Sequence, residues 1–260
     1  MRGFRIVVED LQDKLEPYWE DVDGLIEQAM QPIVPHKCFK YFEACRFKLK
    51  SLWYLTSRVS ELDEEYGQLL DRFLAAGNFT RFTPNDDGSS SYFPYFEALE
   101  FENLLSQGKA CLDCFAKAVG STFGNLPNNV SSLVTVLRQE KGRAVGGVAS
   151  ELLNKIATAE SRLKGVVLDP GREGKTSIRD LISHRERAMI HFRINKAGRT
   201  AFALVRSDHP GLVRLPNYRV TELSNRVWYH THRLIAESFP IVLKLWQGRM
   251  VAQCRIEDCK

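Results

Sequence analysis

Ser177–Phe192, SIRDLISHRERAMIHF, sets two histidines and three arginines into a stretch whose apolar residues Ile178, Leu181, Ile182, Met189 and Phe192 recur at helical spacing. Ser177 followed three residues on by Asp180 has the form of a capping box, so the spacing predicts one helix across the whole stretch. At about 100° per residue Arg185 falls among the apolar positions, while His184, Arg187 and His191 line an adjacent stripe. A cation on an apolar stripe has two explanations. Either its stem packs and its head meets Asp180 or a backbone carbonyl, or it is held there to meet an anion.

Arg185, the polar Glu186, then Arg187-Ala188-Met189-Ile190 and His191, followed by an aromatic, resembles the Arg-polar-x-His signature of the HEPN superfamily. The segment Phe93–Val119 resembles the long aromatic-rich helix that precedes the signature helix in larger members, so the likeness spans Tyr92–Phe192. The motif is short. The resemblance implies an all-α antiparallel helical bundle, commonly dimeric, and a metal-independent endoribonuclease of toxin–antitoxin or phage-defence type. It implies catalytic roles for Arg185 and His191, with His184, Arg187 and Glu186 in support and no metal or other cofactor. It also implies RNA as substrate, a homodimer, and an antitoxin or defence-system protein as partner. Glu186 departs from the pattern, since catalytic members usually carry Asn, Asp or His after the arginine. The other readings are a catalytically silent HEPN-like module that binds nucleotide, RNA or a protein partner, and a structural dimerisation domain.

RNA cleavage uses what Arg185 and His191 offer: a fixed cation for the phosphate, and an imidazole that titrates near neutrality. Six helical residues turn the pair about 120° apart, so they converge through side-chain reach or meet symmetry mates in a dimer cleft. His184 and Arg187 either orient His191 and grip a flanking phosphate or sit on a solvated face. Glu186 is a second proton carrier or an exposed helix carboxylate beside two arginines.

The chain has 260 residues, a net charge of +4 and a pI near 8.7, which permits a polyanionic partner without requiring one. With 44% apolar residues it holds a sizeable core. Six cysteines with no apparent signal peptide fit a reducing cytosol, and charges interrupt every run long enough to cross a membrane.

In chain order, helices are expected at Glu9–Met30, with Pro17 awkward inside it, at Cys38–Ala76, roughly 55 Å long at 1.5 Å per residue, and at about Pro94–Val119. Gly77–Ser91 reads as a loop with a mobile tip. Short helices at Val130–Gln139 and Val148–Leu163 flank a basic, glycine-bearing patch, Arg138–Gly147. After the Ser177 helix, Arg199–Arg206 and Gly211–Leu215 read as a small β-hairpin, and Val220–Met250 as a long helix that Pro240 kinks. The expectation is a single domain over 1–260: N-terminal helices and loop (1–91), a HEPN-like core (92–193), then hairpin and long helix (194–260).

Other motifs are weaker. Gly171–Thr176 lacks the spacing of a phosphate-binding Walker loop and reads as a turn before a helix cap. Cys111 and Cys114 have redox or zinc spacing but fall inside a helix, which makes them small core residues, and a zinc set from Cys254, Cys259, His230 and His232 requires the C-terminus to fold back. Phe39, Tyr41, Phe42, Phe47, Trp53 and Tyr54 among lysines read as helix core with snorkelling lysines, the alternative being an RNA-stacking surface.

Overall fold

The computed structural model describes residues 36–78, 80–169, 177–180, 190–195, 198–200, 203–205 and 219–257. The order is α1 (His36–Ala75), β1 (Thr83–Pro84), β2 (Ser90–Tyr92), α2 (Tyr95–Thr122), α3 (Val130–Glu140), α4 (Gly146–Leu163), β3 (Ile190–Asn195), β4 (Gly198–Arg199), β5 (Leu204–Val205) and α5 (Val220–Glu257). The protein is mainly helical with a small antiparallel sheet, as the helical periodicity predicts. The expected Glu9–Met30 helix, the Gly171–Thr176 turn and the Gly211–Leu215 strand lie outside the described residues.

Local chemistry sets the helix ends. Gly77, at φ 66°, stops α1: its N–H donates to the Leu74 carbonyl at 3.1 Å and the Asn78 N–H to Phe73 at 3.0 Å, a left-handed glycine cap that uses the last free carbonyls. The Tyr66 hydroxyl accepts the Phe96 N–H at 3.2 Å in the first turn of α2. Asn129 caps α3 through its side-chain oxygen, which accepts the Ser132 N–H at 2.8 Å. Pro240 stands inside α5, which runs on to Glu257.

The chain forms two compact units, each from separate segments. The first takes Met1–Lys48, Cys111–Ala159 and Thr231–Lys260. At its centre Phe42 meets Phe239 at 4.8 Å between ring centroids, and Phe115 stacks on Phe239 at 6.3 Å. Cys45 and Cys111 are buried there, each thiol directed at the other's backbone carbonyl, at 3.9 and 3.7 Å. Burial pushes the Cys45 thiol well above its ordinary range, with Cys111 adding to the shift; these are inert packing groups, as expected for Cys111.

The second unit, Leu49–Ala110 with Glu160–His230, contains the sheet. Its strand order is β1-β2-β3-β4, all antiparallel, with β5 pairing the N-terminal half of β3 and β4 its C-terminal end. Gly108 on α2 lies close to Val227 of α5: a Cβ there would fall 2.8 Å from Val227 Cγ1.

Two expectations are corrected. The Gly77–Ser91 stretch holds β1 and β2, joined through Asn85, whose N–H donates to the Ser89 carbonyl at 2.8 Å and whose side chain bonds Ser89 and Ser91. Ile190–Phe192, expected as the end of a helix, belong to strand β3. Ile190, Phe192 and Ile194 are buried, and His191 and Arg193 between them are more accessible. This is period two, and the hydrogen bonds of β2 and β5 hold it.

Candidate functional site

The start of the quoted stretch behaves as its capping box predicts. Ser177 Oγ accepts the Asp180 N–H at 3.1 Å, and its hydroxyl donates to the Asp180 carboxylate at 2.9 Å. The turn is pinned further by the Ile178 and Arg179 N–H groups, which donate at 2.9 Å to the carbonyls of Gly165 and Val166. Asp180 also pairs with Arg179 at 2.5 Å. His184, Arg185, Glu186 and Arg187 lie outside the described residues. His191 is placed, and it stands on β3 opposite Leu204 of β5 instead of on a helix.

His191, half-buried, shares the outward face of β3 with Arg193. The Arg193 guanidinium pairs with Asp87 and donates through Nε to Ser89 Oγ at 3.3 Å, while its backbone N–H donates to Thr200 Oγ1 at 3.1 Å. Hydrogen bonds from Ser89, helped by Arg193, hold the Asp87 carboxyl below its ordinary range. The face therefore offers an imidazole, a cation and three polar side chains within a few residues of the sheet's centre.

Arg199 belongs to the other side. Its guanidinium forks onto Asp71 at 2.9 and 2.8 Å, donates to the Thr200 carbonyl at 2.8 Å and lies over the Phe192 ring at 5.8 Å. A Cβ on Gly67 would fall 2.8 Å from its Nη2, so the glycine gives the guanidinium room against α1. This arginine is structural.

α1 and α2 meet through two buried acids, Asp63 and Glu97. Asp63 is 8% exposed and Glu97 fully buried. Asp63 Oδ1 accepts the Ala203 N–H at 2.7 Å. Neither Glu97 oxygen has a hydrogen-bond partner; the neighbouring group is the Asp63 carboxyl, and two buried carboxyls side by side can bond only if one of them keeps its proton. Burial, then the neighbouring Asp63, pushes Glu97 up to about 9. Burial raises Asp63 to about 6, opposed by the Ala203 N–H and by Arg199 and Arg219. The sequence reading missed both acids, although each stands on an apolar helical stripe: Asp63 between Val59 and Leu70, Glu97 ahead of Phe101 and Leu104.

No family model, curated protein or solved structure matches the chain. Among the described residues no group of three or more His, Cys, Asp and Glu side chains is placed to hold a metal ion, and no helix is long and apolar enough to cross a membrane. The aromatic run of α1 divides. Phe42 is core, as expected, whereas Phe47, Trp53 and Tyr54 are exposed, Tyr54 to 61%.

Proposed function

We propose that the protein is a HEPN-like endoribonuclease that cleaves RNA without a metal, with His191 as the proton carrier and Arg185 as the phosphate clamp. The observation that carries this reading is the position of His191, partly accessible on the outward face of β3 beside Arg193 and just after the segment that contains Arg185. In the reaction the 2′-oxygen attacks the adjacent phosphorus, the bond to the 5′-oxygen breaks, and a 2′,3′-cyclic phosphate forms. The 2′-hydroxyl proton must leave and the 5′-oxygen must gain one; an imidazole near neutrality serves either transfer. The exposed Trp53 and Tyr54, one turn after Lys50 on α1, supply ring faces and a cation of the kind that single-stranded RNA stacks on. A homodimer, with an antitoxin or defence-system protein as partner, belongs to the same proposal.

Purified protein should cut single-stranded RNA in the presence of chelator and leave cyclic-phosphate or 3′-phosphate ends. His191→Ala should lower the rate by about 100-fold or more, the usual worth of a positioned acid–base group. Activity abolished by chelator, or a His191→Ala enzyme as fast as wild type, would refute the mechanism.

One observation favours the silent module instead. His191 is on a strand, so the helical phase that would tie it to Arg185 does not reach it. RNA binding without cleavage, unchanged by His191→Ala, would select that reading.

A further inference from the structure

We propose that Asp63 and Glu97 form a proton-held latch, in which one shared proton joins the two carboxyls and keeps Asp63 on the Ala203 amide that fixes β5 against β3. The latch goes beyond the ribonuclease reading and stands without it.

The geometry gives it a mechanical consequence. Asp63 holds the Ala203 N–H at 2.7 Å, and the Ala203 carbonyl accepts the Val220 N–H at 3.0 Å, so one backbone unit ties α1 to the first residue of α5. The next residue, Leu204, pairs with His191. Loss of the Asp63 contact therefore loosens the strand that flanks His191 and the start of α5 together.

The charged groups that face the pair decide which acid carries the proton. From β4 comes Arg199, itself forked on Asp71; from the residue before α5 comes Arg219, 3.4 Å from Glu222. From α1 and α2 the facing groups are Asp63 and Glu97 themselves. Both cations act on Asp63, which makes it the ionised member and the acceptor for Ala203. Glu97, wholly buried, is the protonated member and donates to Asp63. With the proton gone, two carboxylates would touch in the interior with no donor between them, and opening to water relieves both the repulsion and the lost hydration.

Opening frees Glu97 to ionise, because in water its carboxyl returns to the ordinary range near pH 4.5, whereas in the latch it holds its proton to about pH 9. Each opening between pH 6 and 9 thus releases one proton, and the open population should rise about tenfold per pH unit.

Hydrogen exchange of the Ala203 amide, read by NMR on the full chain and corrected for intrinsic base catalysis, tests this. Protection should fall about tenfold per pH unit from pH 6 to 9 in the wild type. In Glu97→Gln, where the side-chain amide donates the same bond and cannot titrate, protection should be flat over that range. Wild-type protection that is flat from pH 6 to 9, or a Glu97→Gln slope equal to the wild-type slope, would overturn the proposal. Should Glu97→Gln fail to fold, the wild-type slope decides alone. Neither outcome depends on RNA cleavage.

Discussion

The same two helices touch in both units, and they solve the contact differently. In the first unit α1 and α2 meet through Cys45 and Cys111; in the second they meet through Asp63 and Glu97. A thiol is small, weakly polar and neutral when buried, so it fills an interior position at little cost. A carboxyl does so only with a proton or a set of donors. The acid pair has one backbone N–H and must supply its own proton for the rest. A buried polar group earns its place at a helix contact when it holds a third element, here the chain ahead of β5.

The comparison breaks most sharply if a carboxyl is moved into the thiol position. Cys45→Asp should cost about 4 kcal/mol at pH 7, three pKa units of displacement at about 1.4 kcal/mol each, because no partner there shares a proton; chemical denaturation measures it. Next is the pH dependence of the acid pair. Both folded-state values are raised above the unfolded ones, so the stabilisation is full below about pH 4, declines as pH rises, and is exhausted above about pH 9. Between pH 6 and 9 the decline should be about 1.4 kcal/mol per unit, from Glu97. Glu97→Gln should remove that slope, and denaturation at a series of pH values reads it. Cys45→Ser should cost only about 1 kcal/mol and show no pH dependence from pH 5 to 8. Arg193→Ala, at an exposed pair with Asp87, should leave the melting temperature nearly unchanged.

The helices were legible because long stretches repeat with one period. Cys38–Ala76 against His36–Ala75, and Val148–Leu163 against Gly146–Leu163, differ by a residue or two at the ends, where caps and fraying decide. The strands were legible only in part: β4 and β5 fall in or beside the expected Arg199–Arg206 strand, whereas β1, β2 and β3 were not expected. β1 and β2 have two and three residues, too short for any period, in a segment rich in Gly, Asn, Asp and Ser. β3 does have a period: Ile190, Phe192 and Ile194 alternate with His191, Arg193 and Asn195. Met189 and Phe192 also fit helical spacing from Ile178, and local pattern alone does not rank the two; pairing with β2 and β5, distant in sequence, does. Of the candidate site, the sequence gives the residue types and the capping box at Ser177. It conceals the acid pair, since the proton that makes two buried carboxyls compatible depends on helices brought together by the fold.

The shared proton can be observed directly. Infrared spectroscopy of the native protein at pH 7.5 should show the carbonyl stretch of one protonated buried carboxyl, absent in Glu97→Gln and titrating away near pH 9 in the wild type. A wild-type spectrum at pH 7.5 with every carboxyl ionised would contradict the account.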